Sequence, residues 1–294
     1  MIENNNDKLI KLRSAIDEID LKIIDLINQR MEIVSKVSEV KTLNNEKFFI
    51  KSSREADMIK NLTQKVEGKF SKLTIINIWR KLITMANMKE QILKIGIHNP
   101  HGIAEYEYLI REYFSQDVSI VNFDSVTNLI AEIEKASINI GVFLLPNQNN
   151  DFDKNDPNKN NWWINIANNR IGLKIYSKIP FIEFANKTTK KDVQLVLSAI
   201  KEAEKSKSDY TLLSLEVTDK TSKSEIITLL KNLNITFKIL SFIKNSQFEG
   251  FHFYLIEIYG FYLQEDITIK NMTQSKIKPF IKIIGHYPEP IILN

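Results

Sequence analysis

Two cations sit where a buried helical face calls for apolar side chains. From Leu9 the apolar residues recur at three- and four-residue steps, through Leu12, Ile16, Ile19, Ile23 and Leu26. The same stripe continues at Arg30, then Ile33 with Val34, Val37 and Lys41. Such spacing marks one face of an amphipathic helix. An unpaired cation in that face is costly to bury. Arg30 and Lys41 stand about three turns apart, roughly 16 Å at the helical rise, and together suit an anionic guest held between them. The plainer alternative is that both reach water along their aliphatic stems, or pair with an internal carboxylate. A third anomaly is Glu90, in a stripe formed by Ile75, Trp79, Leu82, Ala86 and Leu93. Desolvation at such a position favours the protonated carboxyl group.

Long helices have to position these residues. The periodicity predicts a first helix over residues 6–43, a polar break over 44–51, and a second helix from Ser52. Glu55, three residues after Ser52, makes a capping-box arrangement. The apolar face of that helix is Ala56, Ile59, Leu62 and Val66, and Gly68 ends it. A third helix is expected over residues 71–94. The first helix spans roughly 50 Å at the usual rise, too long for its two partners. A second copy of the chain would cover the rest.

Composition sets wide limits. The chain has 294 residues, 43 % hydrophobic and 26 % charged, with a net charge of +4. Those values suit a soluble globular protein of two or three domains. Lys and Glu are interspersed, so a nucleic-acid partner has little support. Cysteine is absent, which excludes disulfides and thiolate metal sites. Of the four His, only His98 and His101 are close in sequence, and no clustered ligand set points to a metal. The polar start over residues 1–8 gives no signal peptide, and no apolar run approaches a membrane span. The expected compartment is the cytoplasm.

Several motifs in order carry a resemblance. They are Leu12-Arg13 with Asp17 and Asp20, Gln29-Arg30, Val40-Lys41, Ser53-Arg54-Glu55, and Ile78-Trp79-Arg80 leading to Glu90. Over residues 7–93 the chain resembles the all-helical chorismate mutase family. The resemblance implies an intertwined dimer of three-helix chains that rearranges chorismate to prephenate with no cofactor or metal. It implies that Arg30 holds one substrate carboxylate and that Arg13, from the partner chain, holds the other. Lys41 and Glu90 would serve the ether oxygen, Glu90 as a protonated donor. Arg54 and Glu55 would close the site, with Glu55 on the substrate hydroxyl. Three positions depart from the family's habit. Lys51 stands where an acid is common, Ala86 where a small hydroxyl-bearing residue is usual, and Glu90 where many members carry Gln. Gln91 is an alternative donor, but it points about 100° away from the stripe.

Beyond residue 94 strands and helices alternate, which indicates a parallel α/β layer. Residues 148–161 read as a polar loop. From residue 210 a βαββαβ order follows, closing on Gly285-His286-Tyr287-Pro288. That ending and Pro100-His101-Gly102 resemble prephenate dehydratases, and the final segment resembles the ACT domain. The expected architecture is therefore multidomain. Residues 1–94 form the all-α mutase domain, 95–206 a truncated α/β dehydratase-like region, and 207–294 an ACT-like α+β domain. The dehydratase features are incomplete. No Thr-Arg-Phe triplet occurs, Ile103 and Ala104 replace hydroxyl residues, and the acidic Glu-Asn-Ser-like patch reads Gln148-Asn149-Asn150. The motif Glu-Ser-Arg-Pro is also missing from the ACT-like part, where Ser241-Phe242-Ile243 stands. The expectation is mutase activity with a non-catalytic C-terminal part. A bifunctional mutase–dehydratase and a non-catalytic sensor of an aromatic amino acid are the competing readings.

Overall fold

The N-terminal periodicity is realised as one uninterrupted helix, α1 (Asn5–Leu43). The computed structural model describes residues 5–44, 46, 48–66, 68, 70–146, 161–185, 193–244 and 250–293. α1 has Asp7 in its first turn and Lys41 in its last, the charge order that the helix dipole favours. None of its residues is buried. α2 (Ser52–Gln64) and α3 (Lys72–Glu90) follow.

Three helical expectations need correction. α3 stops at Glu90, and Lys94 opens a strand instead. Its buried side is turned by one residue: Ile76, Arg80, Ile83, Thr84, Ala86 and Asn87 are buried, whereas Ile75, Trp79 and Leu82 are half-buried. The capping box at Ser52 does not form. Lys51 is the N-cap and makes no side-chain cap bond. Ser52 Oγ donates instead to the Tyr176 carbonyl at 2.7 Å. A hydroxyl buried in tertiary contact is held by whatever acceptor is buried beside it, and here that is not a helix terminus.

The next strands, β1 (Lys94–His98), β2 (Ser119–Phe123) and β3 (Ile140–Leu144), pair in parallel in the order β2-β1-β3. α4 (Ala104–Tyr113) and α5 (Val126–Glu134) are their crossovers. The layer then becomes mixed, where an all-parallel one was expected. β4 (Leu173–Ile179) and β6 (Leu195–Ile200) are antiparallel to each other, and β6 is antiparallel to β3. α6 (Trp162–Asn168), β6 and the parallel pair β5 (Ile182–Phe184) with β11 (Ile291–Leu293) are too short to leave a periodic signature. Of the segment 148–161, including the Gln148-Asn149-Asn150 patch, only Asn161 lies among the described residues.

The final segment follows the expected βαββαβ order. It comprises β7 (Asp209–Thr218), α7 (Lys223–Asn232), β8 (Phe237–Lys244), β9 (Phe251–Tyr259), α8 (Ile267–Thr273) and β10 (Phe280–Pro288). Its antiparallel strands lie in the order β10-β7-β9-β8. Ile226, Leu230, Ile269 and Met272 of the two helices pack against Leu213, Leu215, Tyr254 and Ile256 of the sheet. β10 also pairs with β4, at Gly285 against Ile175, so nine strands form one continuous sheet. A Cβ on Gly285 would lie 2.2 Å from the Ile175 carbonyl oxygen. Only glycine allows that approach.

The chain forms two compact units. One is Met1–Phe49 with Met85–Ile92, and the other is Ile50–Thr84 with Leu93–Asn294. α3 thus contributes to both. In the second unit Ile59, Ile76 and Ile83 share a core with Phe181, Ile291 and Leu293.

Candidate active site

Within the first unit, one line of α1 is less exposed than the rest: Ile27, Arg30, Met31, Val34, Ser35, Ser38 and Lys41. Arg30 and Lys41 therefore share a face, as the stripe requires. Lys41 Nζ donates to Glu90 Oε2 at 2.8 Å and to the Phe49 carbonyl at 3.0 Å. It also lies 5.3 Å from the centre of the Phe49 ring. The side chains of Lys41 and Glu90 are 13 % and 5 % exposed. An ammonium group has three donors. Two are used here, which leaves one for an oxygen brought alongside.

Glu90 thus accepts a bond from Lys41 through Oε2, beside the role of donor to the ether oxygen that the resemblance implies. The cause is local. α3 ends at Glu90, and its carboxyl group meets the cation of α1. Gln91, the alternative donor, has a buried Nε2 that makes no hydrogen bond among the described residues.

Arg13 and Arg54 are exposed, and no ion pair among the described residues engages them. Glu55 is buried, and its Oε2 accepts from Arg80 at 3.1 Å. The guanidinium carbon of Arg80 lies 3.9 Å from the centre of the Tyr113 ring. Burial works against the Arg80 charge, but Tyr113 and Glu55 outweigh it and raise its pKa. Burial also raises the pKa of Tyr113, whose hydroxyl is 3.3 Å from Ser177 Oγ. This is a closed polar cluster inside the second unit, and Glu55 is occupied there. Arg80 is the partner that sequence reasoning overlooked. Its signal was available: Arg80 lies four residues after Ile76 and three before Ile83, the same anomaly as Arg30, one residue round from the stripe that was followed.

Residues 12–91 match the chorismate mutase type II family. The helical region is a chorismate mutase type II domain. A bifunctional chorismate mutase/prephenate dehydratase of Stutzerimonas stutzeri is 25 % identical over 145 residues, covering 48 % of this chain and 40 % of its own. The protein of that description from Pseudomonas aeruginosa is 24 % identical over 147 residues, covering 49 % and 40 %. The match thus spans about two fifths of those relatives' length. Among solved structures, prephenate dehydratase from Streptococcus mutans overlays at 12 % identity and a TM-score of 0.44, covering 68 % of this chain and 100 % of that one. Prephenate dehydratase in complex with L-Phe from Arthrobacter aurescens overlays at 10 % identity and 0.47, covering 69 % and 93 %.

The departures of the chorismate mutase domain now have structural counterparts. Lys51 pairs with Glu204 at 3.1 Å, so its charge serves the second unit. Ala86 is buried and has no side-chain hydrogen bond to offer. Among the described residues no cluster of His, Asp or Glu could hold a metal ion. Among them too, no helix is long and apolar enough to cross a membrane.

Proposed function

We propose that this chain is a cytoplasmic chorismate mutase that rearranges chorismate to prephenate without cofactor or metal. The reaction is a unimolecular Claisen rearrangement, in which one C–O bond breaks as one C–C bond forms. No proton is transferred and no nucleophile is needed. The protein helps by holding the flexible dicarboxylate in its reactive conformer and by placing donors where charge develops on the ether oxygen. Arg30 clamps one carboxylate in bidentate fashion. Lys41 gives its third donor to the ether oxygen while Glu90 fixes its direction. Arg54, at the exposed start of α2, contributes to the substrate carboxylates. Glu55 acts on the substrate hydroxyl only after leaving Arg80, so we assign it the lesser role. The observation that carries this reading is the Lys41–Glu90 pair on the Arg30 face of the matched domain.

The working form is a homodimer with shared active sites, in which Arg13 of one chain completes the site of the other. The support is α1 itself. Leu12, Ile16, Ile19 and Leu26 are each more than half exposed along a helix that buries none of its residues. A stripe of that length needs a cover. In this reading residues 1–94 are the catalytic segment. Residues 95–206 descend from a dehydratase lobe and 207–294 from an ACT-like domain, both without catalysis of their own.

The test is to incubate the purified chain with chorismate and follow the products by NMR. Prephenate as the sole product is expected. Unchanged chorismate would overturn the proposal, and phenylpyruvate would replace it with a bifunctional enzyme.

A further inference from the structure

A cavity of about 280 Å³ opens in the second unit, and none of the residues assigned above lines it. Its floor is formed by β4, β10 and the chain after β6, with Lys174, Ile175, Lys201 and Ile283 among its lining. The volume equals roughly nine waters at the liquid's share of space. Leu263 lies at its mouth, 41 % exposed, together with the exposed Glu202 and Glu265.

The two lysines of the floor differ. Lys201 is neutralised: its Nζ lies 3.3 Å from Glu204 and donates to the Ile50 carbonyl at 3.0 Å. Lys174 has one bond of this kind, from Nζ to the Ile283 carbonyl at 2.7 Å. It makes no ion pair among the described residues. Burial and the like charge of Lys282 lower its pKa, and Glu202 opposes them. A half-buried ammonium with spare donors and no ion pair among the described residues is a costly feature unless something anionic meets it. Ile175, Ala203, Leu263 and Ile283 give the wall apolar patches beside Ser52, Gln264 and His286, and Glu202, Glu204 and Glu265 disfavour anions of higher charge.

We propose that this cavity binds a small monoanionic organic carboxylate. Its charged end meets Lys174 and its apolar body lies against Ile175, Ile283 and Leu263. Tyr176 and Ser52 complete the wall, so the guest lies under the first turn of α2.

The experiment is isothermal titration of the full chain with benzoate, inorganic phosphate and benzylamine. Benzoate is expected to bind saturably with one site per chain, and neither of the others to bind there. Lys174→Met should weaken benzoate binding at least tenfold. Leu263→Trp fills the exposed mouth without touching the core and should weaken it similarly. Arg30→Ala should leave it unchanged, which separates this site from the mutase site. Absence of saturable benzoate binding overturns the proposal, as does wild-type affinity in either the Lys174→Met or the Leu263→Trp chain. Loss of binding in Arg30→Ala assigns the benzoate to the mutase site and overturns it too. Phosphate binding as tight as benzoate's refutes the carboxylate class.

Discussion

At the scale of single residues, what a charged side chain can do depends on which partner it already has. Lys41 keeps one donor because Glu90 and the Phe49 carbonyl take the other two. Glu90→Gln can still accept from Lys41 through its amide oxygen and should keep most of the turnover. Glu90→Leu removes the orienting group and should lower kcat by about tenfold or more, an effect of roughly 1.4 kcal/mol. Equal kcat for the two variants would contradict the orienting role. Arg80 makes the opposite case. Its loss breaks the buried ion pair with Glu55, which costs about 3–5 kcal/mol. Urea unfolding of Arg80→Met should show that fall, and Arg80→Met with Glu55→Leu should regain part of it. Arg30, Lys41 and Glu90 stand out in the sequence because each breaks an apolar stripe. Glu55 was only half legible. Its partner lies 25 residues away on another helix, and no local pattern encodes that distance.

At the scale of elements, one short pattern has two outcomes. Ser52 and Glu55 have the spacing of a capping box, yet both side chains are held by buried partners elsewhere. Ser222 and Glu225 have the same spacing and do form the reciprocal pair at the start of α7. Ser222→Ala should therefore cost about 1 kcal/mol through a lost cap. In Ser52→Ala the lost group is a buried tertiary bond between α2 and β4, and the isolated helix should not notice. Circular dichroism of peptides covering the two helices, each with and without its serine, checks the contrast. Helix α1 was legible throughout its length, since 3.6-residue periodicity sustained over ten turns has no competing reading. The one-residue error on α3 has a physical source. Its apolar residues wrap most of the way round, so the sequence offers two stripes, and tertiary packing chooses between them. The stripe of α1 also gives an assembly prediction. If the chain is the dimer proposed above, Leu26→Glu should convert it to monomer in sedimentation experiments, and an unchanged dimer would place the contact elsewhere.

At the scale of the whole molecule, the mutase segment is not self-contained. Ile59, Ile76 and Ile83 share their core with Phe181, Ile291 and Leu293. Residues 1–94 alone should expose that surface and unfold at lower temperature than the full chain, as calorimetry would show. The βαββαβ order and the first three strands were legible from alternation. The union of β4 with β10 was not, since it joins residues more than a hundred positions apart through a single glycine contact. Stability also carries a pH signature. Burial lowers the pKa of His98 to about 4 from an ordinary 6.5. Between those values the unfolded chain binds more protons, so this contribution is full above pH 6.5 and is lost as pH falls toward 4. Its size is about 3 kcal/mol. His98→Gln should flatten the fall in unfolding free energy over that window.

In the proposed mechanism Arg30, a cation set in an apolar stripe, clamps a carboxylate of chorismate. The direct measurement is kcat/KM for chorismate loss in the wild-type and Arg30→Ala chains, with helicity compared by circular dichroism. Loss of a charged clamp should cost about 3–5 kcal/mol, on the order of a hundred- to a few-thousand-fold, with the helical signal intact. A variant that turns over chorismate at close to the wild-type rate would contradict the account.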